Sequence, residues 1–200
     1  YSTNNIYFDA PTAGMEQTNG RVSFLADFDT LQVLIKGHVS DWDGIVQPVG
    51  SIGIVANPLT GERCTPAQAG SSACFDNFGF NVGSDDFYTV NVNNNSPHKT
   101  DGKGMSAHLN WQLDSDNEFI SLTSYNTLER FHAFNCDGSP ARLCEGSLGL
   151  DTDLVTQELR LQSKLGEHFL TTGLYFSDES IGQNNVTDIL RDYRGILPPN

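Results

Sequence analysis

Positive charge is scarce in this sequence: 11 Lys and Arg stand against 25 Asp and Glu, a formal net charge of −14 over 200 residues. Such a balance repels nucleic-acid phosphates and the anionic cytoplasmic lipid leaflet, so nucleic acid is not expected as a partner. No run approaches the roughly 18 apolar residues of a membrane-spanning helix. Tyr1 opens no signal peptide or transit sequence, and the start is expected to be processed or internal. Helical periodicity is missing as well. The nearest candidate, residues 148–165, breaks because Val155, Leu159 and Leu161 alternate with Glu158, Arg160 and Gln162 at period two. There is no HExxH, GxSxG, P-loop or GxGxxG, and nothing among the five histidines and 25 carboxylates has catalytic spacing. A protein that is not an enzyme and carries no cofactor is expected. Disorder does not fit either, because about 44% of the chain is apolar once glycine is counted and tyrosine set aside, close to the globular norm.

The four cysteines fall as two close pairs, Cys64 with Cys74 and Cys136 with Cys144, each in a segment rich in Gly, Pro, Ser or Asn. Neither pair has a CxxC knuckle, and His132 is the only nearby imidazole, so a metal site is not expected. Two local disulfides are expected, with reduced thiols the alternative. Disulfides place the chain in an oxidising compartment such as the periplasm or the cell surface.

Strand alternation is what repeats. In residues 20–28 the apolar set is Val22, Phe24, Ala26 and Phe28. In residues 31–40 it is Leu31, Val33, Ile35, Gly37 and Val39, opposite Gln32, Lys36, His38 and Ser40, with Leu34 the exception. Residues 104–113 put Ala107, Leu109, Trp111 and Leu113 opposite Ser106, His108, Asn110 and Gln112. Three further strands are expected over residues 118–130, 154–162 and 169–177. The facing of 118–130 and of 169–177 stays open, because apolar residues occur at both parities.

The connections alternate between short and long. Residues 27–30, 114–117 and 163–168 are polar turns of hairpin length. Residues 41–103, 131–152 and 178–200 are expected as long loops. Short turns on one edge and long loops on the other are the pattern of an all-β, antiparallel, up-and-down transmembrane barrel. Length agrees: about ten residues at 3.3 Å, tilted about 45°, span roughly 23 Å, near the roughly 25 Å apolar band of such barrels. The competing architecture is a secreted acidic β-sandwich binding module for carbohydrate or calcium, although sandwiches spread loops over both ends.

The order of motifs adds a family resemblance. Thr156-Gln157-Glu158-Leu159-Arg160-Leu161-Gln162-Ser163, then a short turn and Thr172-Gly173-Leu174-Tyr175-Phe176-Ser177-Asp178-Glu179, resembles a strand pair of TonB-dependent outer-membrane receptors. Phe119-Ile120-Ser121-Leu122-Thr123-Ser124-Tyr125-Asn126, with Leu128-Glu129-Arg130 after it, is similar to the strand preceding that pair, and Gly20-Arg21-Val22-Ser23 with Val33-Leu34-Ile35-Lys36 fits an earlier hairpin. The resemblance implies a barrel of about 22 strands in the bacterial outer membrane, filled by an N-terminal plug. It also implies import of a scarce substrate (ferric siderophore, cobalamin or carbohydrate) with energy relayed by TonB through the plug, and contact with outer-membrane lipid and lipopolysaccharide. These 200 residues show six strands and neither plug nor TonB box, so no plug-borne residue is carried over. Six strands cannot close a barrel, and an open sheet in lipid leaves unpaired edges, so the residues are expected to belong to a longer chain.

Within that frame Lys36, His38, His108 and Asn110, on the polar faces of consecutive strands, are candidate substrate contacts lining a lumen. Phe80 and Tyr88 are further candidates, in a long loop that also holds Phe75, Phe78, Phe87 and the Asn93-Asn94-Asn95 run; such a loop is costly to order unless it binds something or covers a mouth. Solvation of the lumen and plain linker chemistry are the blander roles. Trp111 and Tyr125 suit an interfacial girdle or ordinary packing, and Trp42 falls where the second strand ends. Asp85-Asp86, Asp41 with Asp43, and Asp151 with Asp153 are acid pairs of the kind calcium takes, without an EF-hand pattern, and solvated loop acids are the simpler reading.

Overall fold

The computed structural model describes residues 3–45 and 49–195. Its strands are β1 (Thr3–Asn5), β2 (Ala10–Thr12), β3 (Gly14–Phe28), β4 (Leu31–Ile45), β5 (Val55–Asn57), β6 (Glu62–Arg63), β7 (Thr89–Val90), β8 (Pro97–Gln112), β9 (Asn117–Asn135), β10 (Cys144–Leu165) and β11 (His168–Ile189), followed by a single 3-10 turn, Arg191–Tyr193. The six long strands form one sheet in the order β11-β10-β9-β8-β4-β3. Every neighbouring pair is antiparallel and the ladders run without register shifts. The sheet is open among the described residues, with β3 and β11 as its edges.

All three tight turns lie at one end. Asp29 and Thr30 join β3 to β4, and Gly166 with Glu167 joins β10 to β11, where Gly166 has φ +67°. Between β8 and β9, Asp114 builds the turn: its carboxylate accepts the Asp116 N–H at 2.9 Å and the Asn117 side-chain amide at 2.9 Å. Those donors hold the Asp114 carboxyl below its usual range, the Asp116 N–H being the larger cause.

The register fixes which side chains share a face. One face carries, in cross-strand rows, Phe24–Ile35–Ala107–Thr123–Gln157–Phe176, then Ala26–Val33–Leu109–Ser121–Leu159–Leu174, then Phe28–Leu31–Trp111–Phe119–Leu161–Thr172. The other carries Ser23–Lys36–Ser106–Ser124–Thr156–Ser177 and its flanking rows. The two strands whose facing the sequence leaves open are thereby assigned. Phe119 and Tyr125 belong to the apolar face, as do Leu170, Leu174 and Phe176, while Phe169 and Tyr175 lie on the polar one. Among the described residues no second layer covers the apolar face: Val22 is 71% exposed, Phe24 63%, Leu174 76% and Phe176 60%.

The polar residues on the apolar face satisfy one another. Thr123 Oγ1 donates to Gln157 Oε1 at 2.7 Å, and Gln157 Nε2 donates to Ser121 Oγ at 3.1 Å and to the Leu122 carbonyl at 3.2 Å. Both the nitrogen and the oxygen of the Gln157 amide are therefore hydrogen-bonded within the sheet.

The bounds of all three expected loops are corrected. Residues 131–152 are not a long loop: β9 continues to Asn135 and β10 begins at Cys144, leaving residues 136–143 as the connection. Residues 178–189 of the expected third loop continue β11, and residues 196–200 lie outside the described ones. Likewise β4 and β8 run into the expected 41–103 loop, as far as Ile45 and from Pro97, and β3 begins at Gly14. The cause is chemical. Beyond about Val39, Lys103 and Tyr125 both faces become polar, so hydrophobic alternation vanishes while the backbone ladder persists.

At the loop end sits a small disulfide-bonded cap. The disulfides are Cys64–Cys74 and Cys136–Cys144, as expected, and no cysteine is free among the described residues. In the cap β1 pairs antiparallel with β2 and parallel with β7, and β5 pairs with β6. Asn5, fully buried, pins this arrangement: its Nδ2 donates to the Val92 carbonyl and to Asn95 Oδ1, both at 2.9 Å, and its Oδ1 accepts the Val92 N–H at 3.2 Å. Asn93 ties the cap to the sheet, accepting from Asn135 at 2.8 Å and donating to Glu145 at 2.9 Å. Gly138, at φ +68°, abuts Ser51, whose N–H donates to the Gly138 carbonyl at 3.2 Å. A Cβ at Gly138 would come within 2.4 Å of that nitrogen.

Candidate functional site

Strand alternation and register together gather the expected polar side chains on one face of the sheet, among Leu25, Leu34, Ile120 and Leu122. Lys36, His38, His108 and Asn110 all lie on it: Lys36 opposite Ser106, His38 opposite Gly104, His108 between Leu34 and Leu122, and Asn110 between Gln32 and Ile120. Gly104 makes the close approach possible there. A Cβ at that position would fall 2.7 Å from the His38 ring and 2.2 Å from the Asn126 side-chain oxygen. Beside Lys36 and His108 a hollow of about 230 Å³ extends across Ser124, Thr156 and Tyr175. Asn110 Oδ1 is buried with no hydrogen-bond partner.

Phe80 and Tyr88 are placed elsewhere. Both belong to the cap, where Phe80 lines a cleft of about 290 Å³ with Asn81, Asp85 and Phe87, and the Phe87 and Tyr88 rings meet edge to face at 5.4 Å. The Asp85 carboxyl is lowered by the hydrogen bond it accepts from the Ser72 N–H at 2.6 Å.

Charge is divided between the two faces. On β3, β4, β8 and β9 the polar face carries Arg21, Lys36 and Arg130 with four imidazoles, His38, His98, His108 and His132. Its carboxylates on those strands, Asp27 and Glu118, sit at the turn end. The opposite face, above the apolar rows, carries Asp41, Asp101, Glu129 and Asp151 side by side in one cross-strand row. Crowding shows in the protonation: Asp41 is raised above the usual carboxylate value, first by the hydrogen bond it shares with Asp101 and also by repulsion from Asp101 and Asp43. One row higher, Lys99 bridges to Asp43 at 2.7 Å, which raises its own pKa.

The sequence reading missed a cluster at the loop end of the polar face. His98 and His132 are direct cross-strand partners, their ring centroids 4.9 Å apart. Trp42 meets His98 edge to face at 4.2 Å, and its indole N–H points at the Met15 sulfur. His98 Nε2 hydrogen-bonds Thr100 Oγ1 at 3.2 Å, whereas His132 Nδ1 is buried without a partner. Both imidazoles titrate below the ordinary value, chiefly because they are partly buried, with Arg130 adding repulsion to each. Residues 97–103 and 131–135 stood inside expected loops, which is why the pair was not found. Parity counted outward from His108 and Leu122 is the signal that would have placed both rings on one face.

No family model, no curated protein and no solved structure matches this chain.

Proposed function

We propose that these residues are a six-strand segment of a larger outer-membrane transport barrel, of about 22 strands, that imports a scarce substrate with TonB-coupled energy. The observation that carries the reading is the two-faced sheet. Its apolar rows run from the turn end to about Val39 and Tyr125 and, among the described residues, have no covering layer, while the other face carries Lys36, His38, His108 and Asn110 at the same height, interspersed with Leu25, Leu34, Ile120, Leu122 and Tyr175. About nine residues of tilted strand match the roughly 25 Å apolar band of a bilayer-spanning barrel. The two open edges support the larger barrel. Among the described residues β3 and β11 leave their outer N–H and C=O groups without strand partners, which lipid does not tolerate, so in this reading further strands flank them.

In this reading the apolar rows meet outer-membrane lipid and the cap stands outside, with lipopolysaccharide around the emerging strands. Lys36, His38, His108 and Asn110 line the path. Lys36 and the imidazoles of His38 and His108 are groups that can contact an anionic cargo such as a ferric siderophore. TonB would engage through a plug that these residues do not include.

The test is the intact mass and detergent dependence of the native protein. A species several times larger than this chain, monodisperse only in detergent, is expected. A folded monomer of this chain's mass, stable in plain buffer, would overturn the reading.

A further inference from the structure

The loop-end cluster on the polar face has the makings of a site that the transport reading does not use. His98 and His132 lie directly opposite each other on β8 and β9, so their Cβ atoms are held at a fixed short separation by the ladder. An imidazole centroid stands about 3.2 Å from a metal bound through its nitrogen at about 2.0–2.1 Å. Two such ligands at angles between square and tetrahedral therefore place their centroids about 4.5–5.2 Å apart. The observed 4.9 Å falls inside that window. His132 Nδ1 is withdrawn from water and has no hydrogen-bond partner, the state of a ligand atom awaiting its acceptor.

We propose that His98 and His132 form a two-imidazole site for a divalent transition-metal ion of the borderline class, copper or zinc. Among the described residues no group of three or more His, Cys, Asp or Glu side chains is placed to hold a metal, so the pair supplies two ligands and leaves the other positions open. Water fills them, or an anionic ligand, which Arg130 favours from two residues away on the same face. Thr100 Oγ1, hydrogen-bonded to His98 Nε2, helps to fix that ring. The proposal stands on the geometry of the pair and is independent of transport: metal binding without import leaves it intact, and import without metal binding leaves the transport reading intact.

Trp42, in contact with His98, is the reporter. Cu²⁺ added to the native protein in detergent is expected to quench a saturable component of tryptophan emission at one equivalent, and Trp42→Phe should remove that component. His98→Asn and His132→Asn should each weaken the binding at least tenfold, while His38→Asn and His108→Asn leave it unchanged. Affinity should follow Cu²⁺ above Ni²⁺ and Co²⁺. Electron paramagnetic resonance of the Cu²⁺ form of the unsubstituted protein reads the ligands without any variant, and two coordinated nitrogens are expected. Quenching that survives His98→Asn and His132→Asn in folded protein, no saturable quenching, or a spectrum with one nitrogen or none would overturn the site.

Discussion

Ile35→Arg probes the assignment of faces most sharply. Ile35 lies in the middle of the apolar rows, with Phe24 on one side and Ala107 on the other, and 43% of its surface is open. In the proposed membrane barrel an arginine there would sit near the bilayer midplane, where it costs about 2–4 kcal/mol in a barrel strand. At about 1.4 kcal/mol per tenfold, that lowers the folding equilibrium by about 30- to 700-fold. Gln32→Arg places the same charge three residues away on the polar face, where Gln32 reaches Asp27 at 3.5 Å, and a nearby carboxylate makes the charge tolerable. The assay is insertion into phospholipid vesicles, followed by the mobility shift of folded barrels in unheated detergent gels and by urea titration of the inserted form. Ile35→Arg should insert poorly and unfold at markedly lower urea, and Gln32→Arg should resemble the parent. Equal tolerance at the two positions, or the reverse order, would refute the register and with it the membrane assignment.

Asn5→Ala should release the cap while sparing the sheet. It strands buried Val92 groups at a cost of about 2–4 kcal/mol, seen as faster hydrogen exchange over residues 88–95. Reducing Cys64–Cys74 should lower cap stability by about 2–3 kcal/mol in the chain-entropy model, measured as protease sensitivity of residues 57–80, with strand insertion unchanged. Acidification should loosen the loop end of β8 and β9. The folded-state pKa values of His98 and His132 lie below the ordinary 6.5, so the unfolded form takes up protons first; the stability is present above about pH 6.5 and is lost as pH falls below it. Hydrogen exchange over residues 97–100 and 130–134 reads this, and a double His98→Gln, His132→Gln variant should flatten the profile. Excising residues 60–95 should leave a sheet that still inserts but has lost most of its substrate affinity, and unchanged uptake would reduce the cap to filler.

The parts of the fold legible in the sequence are those where a face is apolar. Val33, Ile35 and Leu109 set the period-two signal, and Lys36, His38, His108 and Asn110 followed onto the opposite face without any knowledge of register. Strand order was legible from the short turns, because Asp29-Thr30 and Gly166-Glu167 leave no alternative to adjacent antiparallel pairing. The disulfides were legible from spacing. Residues 97–103, 131–135 and 144–153 were not, since Lys99, Asp101, Arg130 and Asp151 put charge on both faces and the ladder there is held by backbone hydrogen bonds that no side-chain pattern reports. Mixed strands 118–130 and 169–177 needed the register itself: Ile120 and Leu122 fall on the polar face with Tyr175, which composition alone cannot sort from Phe119 and Phe176. The His98–His132 pair was hidden for the first of these reasons.

In the proposed barrel one face of the sheet meets acyl chains and the other meets water. Residues 35 and 36 are chain neighbours on opposite faces, so single substitutions Ile35→Trp and Lys36→Trp test it at one height. In vesicles whose acyl chains carry bromine, the added emission from Ile35→Trp should be strongly quenched and indifferent to aqueous acrylamide, and that from Lys36→Trp should show the opposite behaviour. Equal response to acrylamide at both positions, with no bromine quenching at either, would contradict the account.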